Sequence, residues 1–205
     1  MKRRSDVVKK IGFLVLFSLG FSLSLQAYDF LQKKVVQLGQ PVPDFELSDL
    51  KGRPVKLSSL KGKIVMIHFW SATCPFVQRY EDRLQKLAAD YGTREVVVLG
   101  IDSNANETPD QIRKAGAERK VNYPILLDPG NRIADQFGAI TTPHVFILNW
   151  EGRLAYEGSV DDQGWSEKDP VHVRYAREAL EALLQGREVP HPKTRTFGCT
   201  IKRVS

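Results

Sequence analysis

The chain predicts an α/β fold built on a central mixed β-sheet flanked by helices, and three observations carry that expectation. The run Ile64-Val-Met-Ile-His-Phe69 is apolar at nearly every position, as in a strand buried on both faces of a parallel or mixed sheet. Val77, Tyr80, Leu84, Leu87, Ala88 and Tyr91 then recur at three- and four-residue intervals while Gln78, Glu81, Arg83, Gln85 and Lys86 fill the other face, which predicts an amphipathic helix over 75–91. Glu95-Val-Val-Val-Leu-Gly-Ile101 repeats the buried-strand pattern, so the segment reads as strand–helix–strand with a right-handed parallel crossover. At 205 residues and 42% hydrophobic composition, the chain has material for one domain with a sizeable core.

The first 27 residues differ in kind. Lys2, Arg3, Arg4, Lys9 and Lys10 precede an apolar stretch from Ile11 to Leu25, broken by Ser18, Gly20, Ser22 and Ser24 and followed by Gln26-Ala27. That is the grammar of a signal peptide cleaved after Ala27, and the stretch is shorter than the roughly 20 residues of a spanning helix. Leu25 stands where a small residue is preferred, which leaves an uncleaved N-terminal anchor as the other reading. Both place the domain outside the cytoplasm, periplasmic or secreted, with the membrane touched only through that segment. The segment holds five basic residues and one acidic one, so its removal takes the formal charge from +6 to +2. The mature part has no Lys/Arg-rich run interleaved with aromatics, which argues against nucleic acid as a partner.

After a lead-in from Tyr28 to Pro43, Phe45-Glu-Leu47 and Val55-Lys-Leu57 flank the turn-rich Ser48–Pro54 and predict a β-hairpin. Beyond the strand–helix–strand unit, Asp102–Pro109 is polar and turn-like, and Asp110–Ala117 predicts a helix entered after Thr108-Pro109. Tyr123–Leu127 predicts a short strand, and Asn131–Phe137 a short helix closed by Gly138. His144–Leu148, the turn Asn149–Gly152 and a strand from Arg153 to Tyr156 predict an antiparallel pair, which makes the sheet mixed. Val173–Leu184, with Ala176, Leu180, Leu183 and Leu184 helically spaced, predicts a covering helix ended by Gly186. The tail from 186 to 205 contains Pro190, Pro192 and Gly198 and reads as irregular.

Cys74 and Cys199 are the only cysteines, in a compartment where disulfides persist. If they pair, the loop closed is about 125 residues, which the chain-entropy model values at roughly 4–5 kcal/mol. A structural staple therefore competes with a catalytic pair. No Cys-x-x-Cys pair occurs and the four histidines are scattered, so neither a metal site nor a cofactor is expected. Cys74 lies where the strand hands over to the helix, with Pro75 suited to the first helical turn. Unpaired N–H groups and the positive end of the helix dipole there favour a thiolate, so the chemistry expected is thiol–disulfide or thiol–peroxide.

The element order, the Gly39-Gln-Pro-Val-Pro-Asp-Phe45 opening, the Phe69-Trp70-Ser-Ala-Thr-Cys74-Pro75 core and Thr142-Pro143 entering a strand together resemble the thioredoxin-like superfamily. The branch is that of redoxins, the alkyl hydroperoxide reductase and thiol-specific antioxidant type, and the likeness spans residues 36–185. The resemblance implies a cis bond before Pro143, set against the reactive Cys74, with the backbone of Thr142 pairing to an extended substrate. It places Trp70 and Thr73 beside the sulfur, and it puts His68, six residues before Cys74, where many thioredoxins keep a buried acid–base group. His144 and Trp165 are candidates for the rim of a substrate groove.

Two departures matter. The second cysteine of redox-active thioredoxins, three residues after the first, is replaced by Val77, which excludes a self-contained Cys-x-x-Cys cycle. Of the peroxiredoxin pattern, Ser71 fits, Ile67 stands in place of the proline, and Pro143 in place of the arginine that polarises peroxide. A one-cysteine site still cycles when a second thiol resolves its mixed disulfide, and Cys199 is the internal candidate. The expectation is an exported thiol–disulfide oxidoreductase with protein or small-molecule thiols and disulfides as partners: Cys74 attacks, Thr142 and Pro143 position the partner, and Cys199 resolves. Two alternatives stand beside it: a peroxiredoxin-like thiol peroxidase, in which Cys74 is oxidised to a sulfenic acid, and a redox-silent binding module stapled by a disulfide.

Overall fold

A computed structural model describes residues 35–204 of the chain. The N-terminal stretch of 27 residues, expected to be a signal or anchor, lies outside the described residues. Seven strands form one sheet in the order β2-β1-β5-β4-β3-β7-β8. They are β1 (Glu46–Asp49), β2 (Pro54–Lys56), β3 (Ile64–Trp70), β4 (Val96–Asp102), β5 (Ile125–Leu127), β7 (Val145–Leu148) and β8 (Leu154–Gly158). A separate two-stranded ladder joins β6 (Thr141–Thr142) to β9 (Cys199–Thr200). The helices are α1 (Pro75–Tyr91), α2 (Pro109–Glu118), α3 (Arg132–Phe137) and α4 (Tyr175–Leu184).

Strand β3 is buried at every position because it is central, parallel to β4 on one side and antiparallel to β7 on the other. Its side chains alternate between two cores, as the period of a strand requires. Ile64, Met66 and Trp70 join Val77, Tyr80 and Leu84 of α1 and Leu180 of α4 in one apolar cluster. Val65, Ile67 and Phe69 join Ile133 and Phe137 of α3 and Phe146 in the other. The sheet is thus covered on both faces, which is why β3 and β4 read as continuous apolar runs rather than alternating ones.

The local differences from the sequence reading have visible causes. The hairpin pairs Glu46–Ser48 with Pro54–Lys56, and Leu57, expected in its second strand, opens a 3-10 turn instead. Helix α4 starts at Tyr175 rather than Val173, because the Val173 carbonyl accepts the Asp162 N–H at 3.0 Å and is spent outside the helix. Most of the tail is irregular, yet Cys199–Thr200 forms a strand that docks on Thr141–Thr142, and Ile201 beyond it is only 3% exposed in the second core.

Candidate active site

Cys74 is the N-cap of α1, in extended conformation, with Pro75 in the first turn. The loop before it is gripped from two sides. Glu107 accepts hydrogen bonds from the Ser71 hydroxyl (2.7 Å), the Ala72 N–H (2.7 Å), the Thr73 N–H (2.9 Å) and the Thr73 hydroxyl. Arg119 donates to the carbonyls of Ser71 and Ala72 and lies over the Trp70 ring at 5.1 Å. A carboxylate therefore collects the donors of the loop and a guanidinium collects its acceptors. Ser71 in turn accepts the N–H of Cys74 at 3.0 Å.

Behind Glu107 stands Asp102, which the β3/β4 register sets opposite Trp70. Burial, then the hydrogen bond and the negative charge of Glu107, push the Asp102 carboxyl up to about 9. Burial acts upward on Glu107 as well, but hydrogen bonds from Asp102, Ser71, Thr73 and Ala72 outweigh it and hold that carboxyl below its ordinary value. The two carboxyls are thus pushed apart, Asp102 upward and Glu107 downward.

The Cys74 thiol donates to the Thr142 carbonyl at 3.1 Å, and the Thr142–Pro143 peptide bond is cis. Across the β6/β9 ladder Thr142 faces Cys199. Both cysteines are free thiols, with Cys74 2% exposed. Cys199 is pushed up to about 11, by burial first and then by a hydrogen bond with the Cys74 side chain and its charge, against the opposing pull of the Phe76 N–H and Lys202. The tail thus sets the second sulfur against the first.

The remaining residues named from sequence fall as follows. Trp70 is fully buried in the same apolar cluster as Cys74, and its indole N–H donates to Glu81 at 3.0 Å. Thr73 is exposed and turns its hydroxyl to Glu107. His68 lies edge-on to the Tyr123 ring at 5.0 Å, and neither of its nitrogens has a hydrogen-bond partner among the described residues. Burial pushes its pKa down to about 3, so the imidazole is neutral. Val77 is fully buried where a second helix cysteine would stand. Trp165 is 62% exposed and bridges Phe76 and Phe197 by edge contacts at 5.2 and 5.7 Å. Glu107, Arg119 and Asp102 were not singled out from sequence, since each lies far from Cys74 along the chain, Asp102 and Glu107 in a segment that reads as a turn and Arg119 just past a predicted helix. Among the described residues no group of three His, Cys, Asp or Glu side chains is placed to hold a metal ion.

The neutral His68 carries a consequence for acid stability. An unfolded chain protonates this histidine near pH 6.5, whereas the folded one resists until about pH 3, so stability falls as pH drops through that window. His68→Leu is expected to remove this slope, worth at most about 1.4 kcal/mol per pH unit. Urea unfolding at pH 7 and pH 5 measures it.

A sheet with this strand order, a cysteine capping the first long helix and a Thr-Pro turn set against it define a thioredoxin-like protein of the redoxin branch. The model of the AhpC/TSA family matches residues 38–157, and the chain belongs to that family. Thiol-disulfide oxidoreductase ResA of Halalkalibacterium halodurans is 24% identical over 80% of this chain and 93% of its own length. Among solved structures, an uncharacterized conserved protein from Geobacillus kaustophilus is 31% identical, with a TM-score of 0.76 over 82% of this chain and 93% of that one. A hypothetical protein from Sinorhizobium meliloti is 29% identical, with a TM-score of 0.77 over 84% of this chain and 97% of that one.

Proposed function

We propose that the protein is an extracytoplasmic thiol–disulfide oxidoreductase that exchanges disulfides with protein thiols through Cys74 and resolves them with Cys199. The observation that carries this reading is the placement of Cys199 opposite Thr142, whose carbonyl accepts the Cys74 thiol. Similarity to ResA proteins supports the chemistry, and the charged and apolar grammar of residues 1–27 supports export.

In the proposed reaction Cys74 loses its proton to solvent base and attacks one sulfur of a partner disulfide. The Cys74–partner bond forms as the partner's own S–S bond breaks, and the second partner sulfur leaves as a thiolate. Cys199 then attacks Cys74, forming an internal disulfide and releasing the first partner sulfur, so two electrons pass from the cysteine pair to the partner. The order of events follows from electrostatics. Cys199 is held protonated partly by Cys74 itself, through their hydrogen bond and its charge. Once Cys74 is tied in a mixed disulfide both influences vanish, and Cys199 becomes easier to ionise at the moment it is needed.

Thr142 and Pro143 frame the attacking sulfur in this reading, while Trp70 and Thr73 act through the shape and bracing of the loop. His68 stands outside it, its ring directed to Tyr123. Exchange is favoured over peroxide reduction because Arg119, the cation that braces this loop, spends its donors on the Ser71 and Ala72 carbonyls.

Thiol mapping by mass spectrometry across a glutathione redox series tests the proposal. The expected result is a reversible Cys74–Cys199 bridge with a potential above about −300 mV. A bridge more reducing than that assigns a staple, and no bridge at any poise removes Cys199 from the reaction.

A further inference from the structure

Cys74 is 2% exposed, although the reaction proposed for it requires contact with a partner's sulfur. The chain's own C-terminal strand occupies the approach. Cys199 lies across from Thr142, whose carbonyl accepts the Cys74 thiol, and packs against the apolar cluster that holds Cys74. Two residues earlier, Phe197 meets the edge of Trp165, which meets Phe76, so one aromatic seat joins the first turn of α1, the loop carrying Trp165 and the tail. Gly198 passes so close to Thr142 that a Cβ there would overlap its carbonyl.

This segment is anchored at both ends and light between them. On one side Thr194 donates its N–H to the Glu157 carbonyl at 3.0 Å and accepts the Ser159 N–H on its hydroxyl at 3.1 Å. On the other, Ile201 is buried and donates its N–H to the Ile140 carbonyl at 3.0 Å. The ladder in between is two residues long, and residues 195–200 form a clasp across the approach to Cys74.

Resting on the reading of Cys74 and Cys199 as an exchange pair, we propose that residues 195–200 are an intramolecular stand-in for the partner. The seat they fill is that of an extended, cysteine-containing polypeptide with an aromatic side chain two residues before its cysteine, and such a partner enters by displacing the clasp. The partner's strand pairs with Thr141–Thr142 as β9 does, its aromatic ring replaces Phe197 against Trp165, and its sulfur arrives where that of Cys199 stands. Cys74 attacks the partner's cysteine sulfur, a Cys74–partner disulfide forms, and the group formerly bonded to that sulfur leaves as a thiolate. When the clasp returns, Cys199 gives up its proton and attacks Cys74, releasing the partner's cysteine as a thiolate that takes up a proton.

The test uses the full-length reduced protein and two synthetic peptides, Thr-Phe-Gly-Cys-Thr-Ile and Thr-Ala-Gly-Cys-Thr-Ile, each with its cysteine capped by thionitrobenzoate, whose release is followed by absorbance. The phenylalanine peptide is expected to react about tenfold faster, as a gained aromatic pair implies, and Trp165→Ala to erase the difference. Gly198→Ala, which forces the clasp off Thr142, is expected to accelerate both peptides, with its fold checked by circular dichroism. Phe197→Ala reaches the same acceleration without a clash, by emptying the seat. If the two peptides react equally, or neither opening variant is faster, while the wild type still forms its Cys74–Cys199 bridge and reduces glutathione disulfide, the stand-in is overturned and exchange survives. If neither peptide releases thionitrobenzoate from any variant and no bridge forms on oxidation, the exchange reading itself falls.

Discussion

Cys74→Ser is expected to abolish disulfide exchange, with a rate loss of about a thousandfold or more, because a hydroxyl at neutral pH supplies no nucleophile comparable to a thiolate. Cys199→Ser behaves differently. Its first step survives, so one equivalent of partner is captured as a mixed disulfide on Cys74 and turnover stops there. Non-reducing electrophoresis with single-turnover kinetics separates the two: no adduct for the first variant, a stoichiometric trapped adduct for the second. A Cys199→Ser protein that turns over normally would show that resolution comes from an external thiol. The contrast is sharp because Val77 fills the position from which an ordinary thioredoxin would resolve.

The second large effect is expected at Glu107. Glu107→Ala strips the Ser71–Thr73 loop of the acceptor for two N–H groups and two hydroxyls. The loss is expected to cost about 2–4 kcal/mol of stability, since hydrogen bonds to a charged, nearly buried acceptor are the strong ones. Exchange should slow by about tenfold or more as Cys74 loses its fixed position. Urea unfolding and exchange rates on the same samples check both.

Asp102→Asn is the milder companion, keeping the size of the side chain while removing the titrating proton. An acid whose folded pKa is raised binds its proton where the unfolded chain does not, so its contribution is complete below about 3.8 and declines as pH climbs toward about 9. The variant is therefore expected to lose less stability than the wild type between pH 5 and pH 8, the difference being at most about 1.4 kcal/mol per pH unit.

What the sequence made legible followed from local regularity. The run at 64–69 was readable because a central strand is apolar on both faces, and the Cys74-Pro75 junction because proline suits a first helical turn. Cys199 was readable as the second thiol, but its seat was not, since a two-residue ladder leaves no periodic trace. Glu107 and Arg119 were illegible for a different reason. Only the pairing of Trp70 with Asp102 and the turn that follows bring Glu107 beneath Ser71, and Arg119 reaches the loop as the C-cap of α2. Charged residues in such places ordinarily face water, and nothing in their neighbours along the chain says otherwise.

The substitution of Val77 for a helix cysteine moves the second sulfur from one helical turn away to a position six residues from the C-terminus. In the proposed cycle oxidation then does more than change two sulfurs: it ties the last strand to the start of α1 and closes the chain between them into a lasso. The reduced molecule holds residues 195–200 through a two-residue ladder and side-chain contacts alone, while the oxidised one adds a covalent bond to them. Proteolysis within residues 195–200 is therefore expected to be slower in the oxidised protein than in the reduced one.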